Sequence, residues 1–456
     1  MTDNFKIVNG EKVLLTAEEI SAREAEEAAF LADQAANGYK SDREIEYPSV
    51  VDQLDEIYHH GIDGWKAKIA AIVDGIRSNS ATSDAITLAD NGTCTANVTN
   101  NLSNRNLIIN GAMQVAQRGT SSTTSGYGTV DRFKVAYGGT DEAPTQAQVD
   151  VASGTTPYSL GFRKALKITN GNQSNGAGTT DYLNFGQKIE AQNIANSGWN
   201  YTSTSSFITL SFWIKSSVAQ VFYGYLMTRD GTSYSYPFST GSLSADTWTK
   251  ITKTIPGNSN LQFDNNNGSG LELNVNGFLG TNYTDNSTSL DSWAAQADAT
   301  HFPDITDTWY TTNNSTLEFT GVQLEVGSYA SDFEFLSYAD ELLKCQRYYQ
   351  ISVSESKPAV FAGRGTGSSN VYMTVPLTCS LRDTPSLSDS NFSQVYAYLY
   401  DSRPSNGSSG TVVTDSNQFN ATGAYISVTV GGFGGNIADD RVVNIGGYAT
   451  NNKLIL

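Results

Sequence analysis

The chain reads as mainly β, with a helical segment at its N-terminus, then a jelly-roll β-sandwich and a smaller β-domain at its C-terminus. Three observations lead there. Tyr (24) and Phe (19) far outnumber Met (4), a bias that suits pleated, half-buried surfaces. Gly contributes 41 residues, and with Ser, Thr and Asn it cuts everything after residue 78 into short runs. Those runs alternate apolar and polar side chains with a period of two. At 456 residues the chain is too long for one ordinary core, so several domains are expected.

The helical segment covers residues 1–77. Thr16 with Glu19 makes a capping box, and the Ala/Glu-rich run to about Ala36 follows as a helix. Pro48 and Ser49 open a second helix, on which Val51, Leu54, Ile57 and Tyr58 form one stripe. Gly61 ends it. A third, over 64–77, places Trp65, Ile69, Ile72, Val73 and Ile76 on one face. Two short amphipathic helices around Gly61 are too small to fold strongly alone. Their stripes are therefore expected to be buried by copies of the chain or by another protein, which makes them attachment and oligomerisation residues.

Residues 78–104 show no periodicity and read as a linker or an extended segment. The sandwich is expected over 105–338. Its clearest strand is 208–215, with Ile208, Leu210, Phe212 and Ile214 facing one way and Thr209, Ser211, Trp213 and Lys215 the other. Similar signals lie at 247–255, 271–278 and 317–326. Strands at this spacing without intervening helices fit two packed sheets. A short helix is expected over 339–349. Strands at 370–377, 394–400, 424–430, 441–448 and 453–456 then make a C-terminal β-sandwich spanning 339–456.

Charge narrows the partners. The net of −18 and the lack of any basic stripe exclude nucleic acid, because phosphate binding needs clustered Lys and Arg. Residues 1–77 hold 16 acidic against 8 basic side chains. Three cysteines, Cys94, Cys345 and Cys379, lie far apart and imply no disulfide framework. No run approaches the roughly 20 apolar residues of a membrane span, so no membrane insertion is expected. The opening MTDNFKIVNGEK lacks the order of a secretion signal, which predicts synthesis in a cytoplasm.

Three stretches carry a resemblance. Residues 106–119 (NLIINGAMQVAQRG) followed by 129–133 (TVDRF) resemble the opening of a phage tail-protein domain of carbohydrate-binding, jelly-roll type. Residues 319–327 (FTGVQLEVG), then Phe333 and Phe335, then 345–349 (CQRYY), resemble its close. Residues 47–59 (YPSVVDQLDEIYH) and the helix that follows are similar to a segment of many phage structural proteins. Together they cover about half of the chain. The resemblance implies a tail fibre or related virion appendage, made in the host cytoplasm, usually a homotrimer. It would be attached to other phage tail proteins through its N-terminal region and would contact host-surface polysaccharide. It implies receptor binding and host attachment, not an enzyme. The alternatives are a purely structural virion fibre or adaptor, and a polysaccharide depolymerase. Nothing in the resemblance accounts for 350–456.

Aromatic rings on an exposed β face are where the apolar side of a pyranose stacks, which singles out Trp213, Tyr223 and Tyr225 as carbohydrate-binding candidates. The competing reading buries them between sheets or against a sister subunit. No catalytic residue stands out. His59, His60 and His301 fall in no metal or triad spacing, and Asp304 and Asp307 beside Trp309 read as a solvated loop. Gly363-Arg-Gly-Thr-Gly367 lacks the Lys-Ser/Thr of a phosphate loop and reads as a β-turn. No cofactor is expected. Domains of the resembled kind often hold a structural Ca²⁺, for which Asp131 or Asp332 would be the carboxylate.

Overall fold

The structure is a computed structural model that describes residues 104–353 without a break. Beyond these it describes 5–8, 11–26, 28–29, 58–59, 75–76, 86–88, 94–96, 377–383 and shorter strand segments from 360 to 455. The chain divides into two units, Met1–Val98 and Thr99–Leu456.

In the first unit, β1 (Phe5–Val8) and β2 (Glu11–Leu14) form an antiparallel hairpin with Val8 opposite Glu11. The sequence analysis placed no strand here, although Asn9-Gly10 is the dipeptide that most favours a two-residue hairpin. A helix over 17–26 follows. Its capping box is formed: the Thr16 amide donates to Glu19 Oε2 at 2.9 Å, and the Glu19 amide to Thr16 Oγ1 at 3.3 Å. Three further strands, β3 (Gly75–Ile76), β4 (Ile86–Leu88) and β5 (Cys94–Ala96), make an antiparallel sheet. Ile76 is thus in a strand, not on the helical face assigned to it, as suits a β-branched residue next to a glycine. The strands β4 and β5 fall within the stretch read as linker. Tyr58 is helical and 84% exposed. Val51, Leu54, Ile57, Trp65, Ile69 and Ile72 lie outside the described residues.

The second unit carries the expected sandwich. Its strands in chain order are β6 (Ser121–Ser122), β7 (Lys134–Gly138), β8 (Thr145–Asp150), β9 (Lys164–Thr169), β10 (Tyr182–Glu190), β11 (Phe207–Ser216), β12 (Val221–Thr228), β13 (Tyr234–Ser242), β14 (Thr249–Pro256), β15 (Ser269–Leu279), β16 (Ala294–Ala295) and β17 (Thr316–Val326). They form two six-stranded antiparallel sheets, ordered β16-β13-β12-β15-β10-β7 and β14-β11-β17-β9-β8-β6. Alternation decides which side chains meet between them. Ile208, Leu210, Phe212 and Ile214 of β11 are all at 0% exposure, facing Leu183, Phe185, Phe222, Leu273 and Val275 of the other sheet within one core.

A bulge on β17 sits beside Trp213, where the register with β11 shifts. Gly321 takes φ +64° there, which a side chain would strain. Any Cβ at Gly321 would also lie 2.7 Å from Phe162.

The stretches that bracket the sandwich in sequence meet in space. Asn106 donates through Nδ2 to the Val322 carbonyl at 3.0 Å and accepts from the Leu324 amide at 3.1 Å. Asn110, fully buried at φ +62°, donates to the carbonyls of Val115 and Asp131, each at 2.9 Å, and accepts from the Val115 amide. The helix Tyr338–Gln346 ends in Arg347, which grips Glu190 with two bonds of 2.8 and 2.9 Å. Burial pushes the Glu190 carboxyl up, but hydrogen bonds from Arg347 and Tyr348 outweigh it and hold the carboxyl below its usual value. The sandwich's own contacts therefore run past residue 338, through Tyr349.

Further on, β18 (Ile351–Val353), β19 (Val360–Thr366), β20 (Asn370–Val375), β21 (Tyr396–Leu399), β22 (Thr411–Val413), β23 (Phe419–Asn420), β24 (Gly423–Thr429), β25 (Val442–Gly446) and β26 (Leu454–Ile455) complete the chain. They form a seven-stranded sheet, and β18 pairs with β26. Residues 363–366 are in β19, paired to β20, rather than in the turn expected of them.

Replacing Asn110 by Ala removes three buried hydrogen bonds and a left-handed conformation that Asn tolerates. Denaturant unfolding is expected to show a loss of about 3 kcal/mol. A loss below about 1 kcal/mol would show that the N-terminal bracket does not lock the sandwich.

Candidate functional site

With one face of each sheet committed to the core, the opposite faces carry whatever the sandwich does. On the sheet that contains β12, the outward rows follow from register. Asn184, Asn276 and Tyr223 stand in line across β10, β15 and β12. Gly186, Asn274 and Tyr225 form the next row, and Lys188, Glu272 and Met227 the third. Across β13, Tyr225 faces Pro237 and Met227 faces Ser235.

The segment between β15 and β17 folds back over the β12 end of this face. Phe302 stacks on Tyr223 with ring centres 5.1 Å apart, and His301 on Tyr225 at 4.8 Å. The segment is tied down by Asp304, which accepts from Thr284 Oγ1 at 2.6 Å and Asn286 Nδ2 at 2.8 Å. Trp309 is wholly buried. Asp304 thus serves the loop as a tether. Burial raises the Tyr225 phenol well above its ordinary range, so it stays neutral.

Four polar atoms on this side of the sheet are buried and have no hydrogen-bond partner among the described residues: Asn274 Nδ2, Asn276 Oδ1, Ser235 Oγ and His301 Nδ1. A buried polar group left unbonded costs about 1–3 kcal/mol, so four on one face need explaining. Ser235 and His301 also line a cavity of about 280 Å³ whose other walls include Pro237, Ser287, Thr288 and Gln296. No charged side chain is among those lining residues. The volume is close to the lower end of small-molecule sites, about 300–1,000 Å³.

The three sequence candidates are not brought together. Tyr223 is half-buried and Tyr225 is 6% exposed, each with one ring face taken. Trp213 is half-buried on the outward face of the other sheet, where it packs on Ala112, Val151, Phe162 and Ala165. Asn274, Asn276 and Ser235 were missed. The alternation in β15 carried the signal for the asparagines, since Leu271, Leu273 and Val275 inward put Glu272, Asn274 and Asn276 outward. Asp131 accepts from the Gln117 amide at 3.0 Å and lies 3.7 Å from Arg118, a cation that disfavours Ca²⁺ there. The Asp332 carbonyl accepts from Arg105. Among the described residues, no group of three or more His, Cys, Asp or Glu could hold a metal ion.

No family model matches the chain, and no curated protein matches it. Solved structures do. The N-terminal cellulose-binding domain of Cellulomonas fimi β-1,4-glucanase C is 12% identical, with 48% of this chain and 99% of that one covered at a TM-score of 0.23. A family 30 carbohydrate-binding module is 12% identical, covering 53% and 95% at a TM-score of 0.24. The Clostridium thermocellum family 11 module, in complex with a β-1,3-1,4-mixed-linked tetrasaccharide, is 10% identical, covering 46% and 98% at 0.21. At such TM-scores the fold rests on this chain's own strand order.

Burial holds the His301 imidazole below its ordinary pKa, against the opposing pull of Asp298. The neutral ring is the form the fold accommodates. Its contribution is complete above the unfolded value near 6.5 and is lost as pH falls through the lowered folded one. His301→Phe keeps the stack on Tyr225 but cannot titrate. Its unfolding free energy is expected to fall less than that of the unaltered chain between pH 6.5 and 5, measured by denaturant titration at each pH. Parallel profiles would show that His301 is not buried as the neutral form.

Proposed function

We propose that the sandwich is a non-catalytic carbohydrate-binding module that takes an uncharged sugar ring at the β12–β13 end of its outward face. The observation that carries this reading is Ser235 Oγ, buried and unpartnered, on the wall of a cavity with no charged lining residue. A sugar hydroxyl both donates and accepts, so it satisfies Ser235 Oγ and the neutral His301 Nδ1 alike. Pro237 and neighbouring alanines offer the apolar patch against which a pyranose face rests.

The wider setting rests on the resemblance in residues 47–59, 106–133 and 319–349. In this reading the chain is a homotrimeric fibre of a phage tail, attached through residues 1–77 to other tail proteins. Its β-domains present the sugar site to polysaccharide on a host cell, where three weak sites on one particle raise the effective concentration.

Two measurements test these levels separately. Ser235→Ala removes the unpartnered hydroxyl, so thermal unfolding should be unchanged or slightly raised while affinity for a neutral host oligosaccharide drops about fivefold to thirtyfold. Equal affinity in both proteins would remove the sugar site from this cavity. For the assembly, sedimentation of the full chain is expected to give the mass of three copies, and a monomer would overturn the fibre reading.

A further inference from the structure

A second pocket forms where the bracketing stretches meet. Arg118 lies over the Tyr349 ring with its guanidinium carbon 3.5 Å from the ring centre, and Arg132 lies over Tyr348 at 3.3 Å. With Tyr127, Asp131 and Arg382 they surround a cavity of about 180 Å³. The charges around it do not balance. Asp131 is the one carboxylate among its described lining residues, and it is engaged by Gln117 and lies 3.7 Å from Arg118. Arg382 is shared with Asp383 at 3.8 Å. That leaves Arg132, only 7% exposed, without an ion-pair partner of its own among the described residues. Its Nη2 donates to the Lys188 carbonyl, but its Nε is buried and unpartnered. A buried guanidinium with an unused donor is costly unless an acceptor joins it.

We propose that this pocket binds the carboxylate of a small acidic sugar, of the uronate class. A guanidinium edge matches the two oxygens of a carboxylate in a way an ammonium does not. Tyr127, which is exposed, supplies a flat apolar wall for the ring that carries it. The small volume suits one sugar ring, such as a terminal residue or a free sugar acid. The site uses none of the residues of the neutral-sugar cavity and stands or falls apart from it.

Calorimetric titration of the full-length chain with glucuronate, glucose and inorganic phosphate tests this. Glucuronate is expected to bind, glucose not to bind at the same concentrations, and the glucuronate affinity to weaken as salt is raised. Arg132→Gln should lower that affinity about tenfold or more, and Arg132→Lys, which keeps the charge and loses the fork, should fall between. Ser235→Ala should leave it unchanged. Equal binding of glucose and glucuronate would overturn the proposal, as would phosphate binding without glucuronate binding. Unaltered affinity in both Arg132 variants would do the same. Should Arg132→Gln fail to fold, the glucuronate-to-glucose ratio and its salt dependence in the unaltered chain decide.

Discussion

Phe319 of β17 touches Phe133, Phe185 and Phe212 with ring centres 6.2, 5.1 and 4.9 Å apart, and that contact joins the two sheets. Phe185 belongs to one sheet, Phe212 and Phe319 to the other. Phe212 also reaches Phe238, across the core, at 6.3 Å. Because side chains alternate strictly along a strand, committing these rings inward fixes everything else. Tyr223, Tyr225, Asn274 and Asn276 have no direction left but outward. The face with its four unpartnered atoms is therefore a consequence of how the core is filled.

The bracketing stretches first read as a family resemblance turn out to have a mechanical role. Asn106 and Asn110 replace missing backbone partners where the chain enters the sandwich. Gly111 approaches the Val322 carbonyl so closely that a Cβ would lie 2.1 Å from it. Gln117 Nε2 donates to the Tyr349 carbonyl at 3.0 Å. Arg347, held by Glu190, anchors the far end. The contacts of Asn106, Gly111 and Gln117 join residues more than two hundred positions apart, and Arg347 reaches back 157 positions to Glu190, so the beginning and end of the sandwich must be ordered together. The same closure confines Arg132 beside Tyr348 and leaves its Nε without an acceptor.

How much of this was legible depends on whether the cause is local. The strands 208–215, 271–278 and 317–326 were readable because alternation is written in adjacent residues; the helix expected over 339–349 is found at 338–346, capped by Ser337, which accepts from the Asp340 amide. Residues 363–366 were misjudged because glycine suggests a turn even where a neighbouring strand supplies the partner. Ile76 was placed on a helix because its spacing from Ile72 fits one, although Gly75 beside it does not. The β1–β2 hairpin was overlooked despite Asn9-Gly10. The site was the least legible part. Tyr223 and Tyr225 could be named as aromatic, but that His301 and Phe302 cover them depends on a loop 76 or more residues away. That Ser235 or Asn274 lacks a partner is a property of the packed structure and leaves no trace in sequence.

A crystal structure of the full chain with a neutral oligosaccharide bound is the most direct measurement. The account predicts a sugar ring in the cavity beside Pro237, with hydroxyls within hydrogen-bond distance of Ser235 Oγ and His301 Nδ1. A sugar found instead against Trp213 on the opposite sheet, with Ser235 and His301 still unbonded, would contradict it.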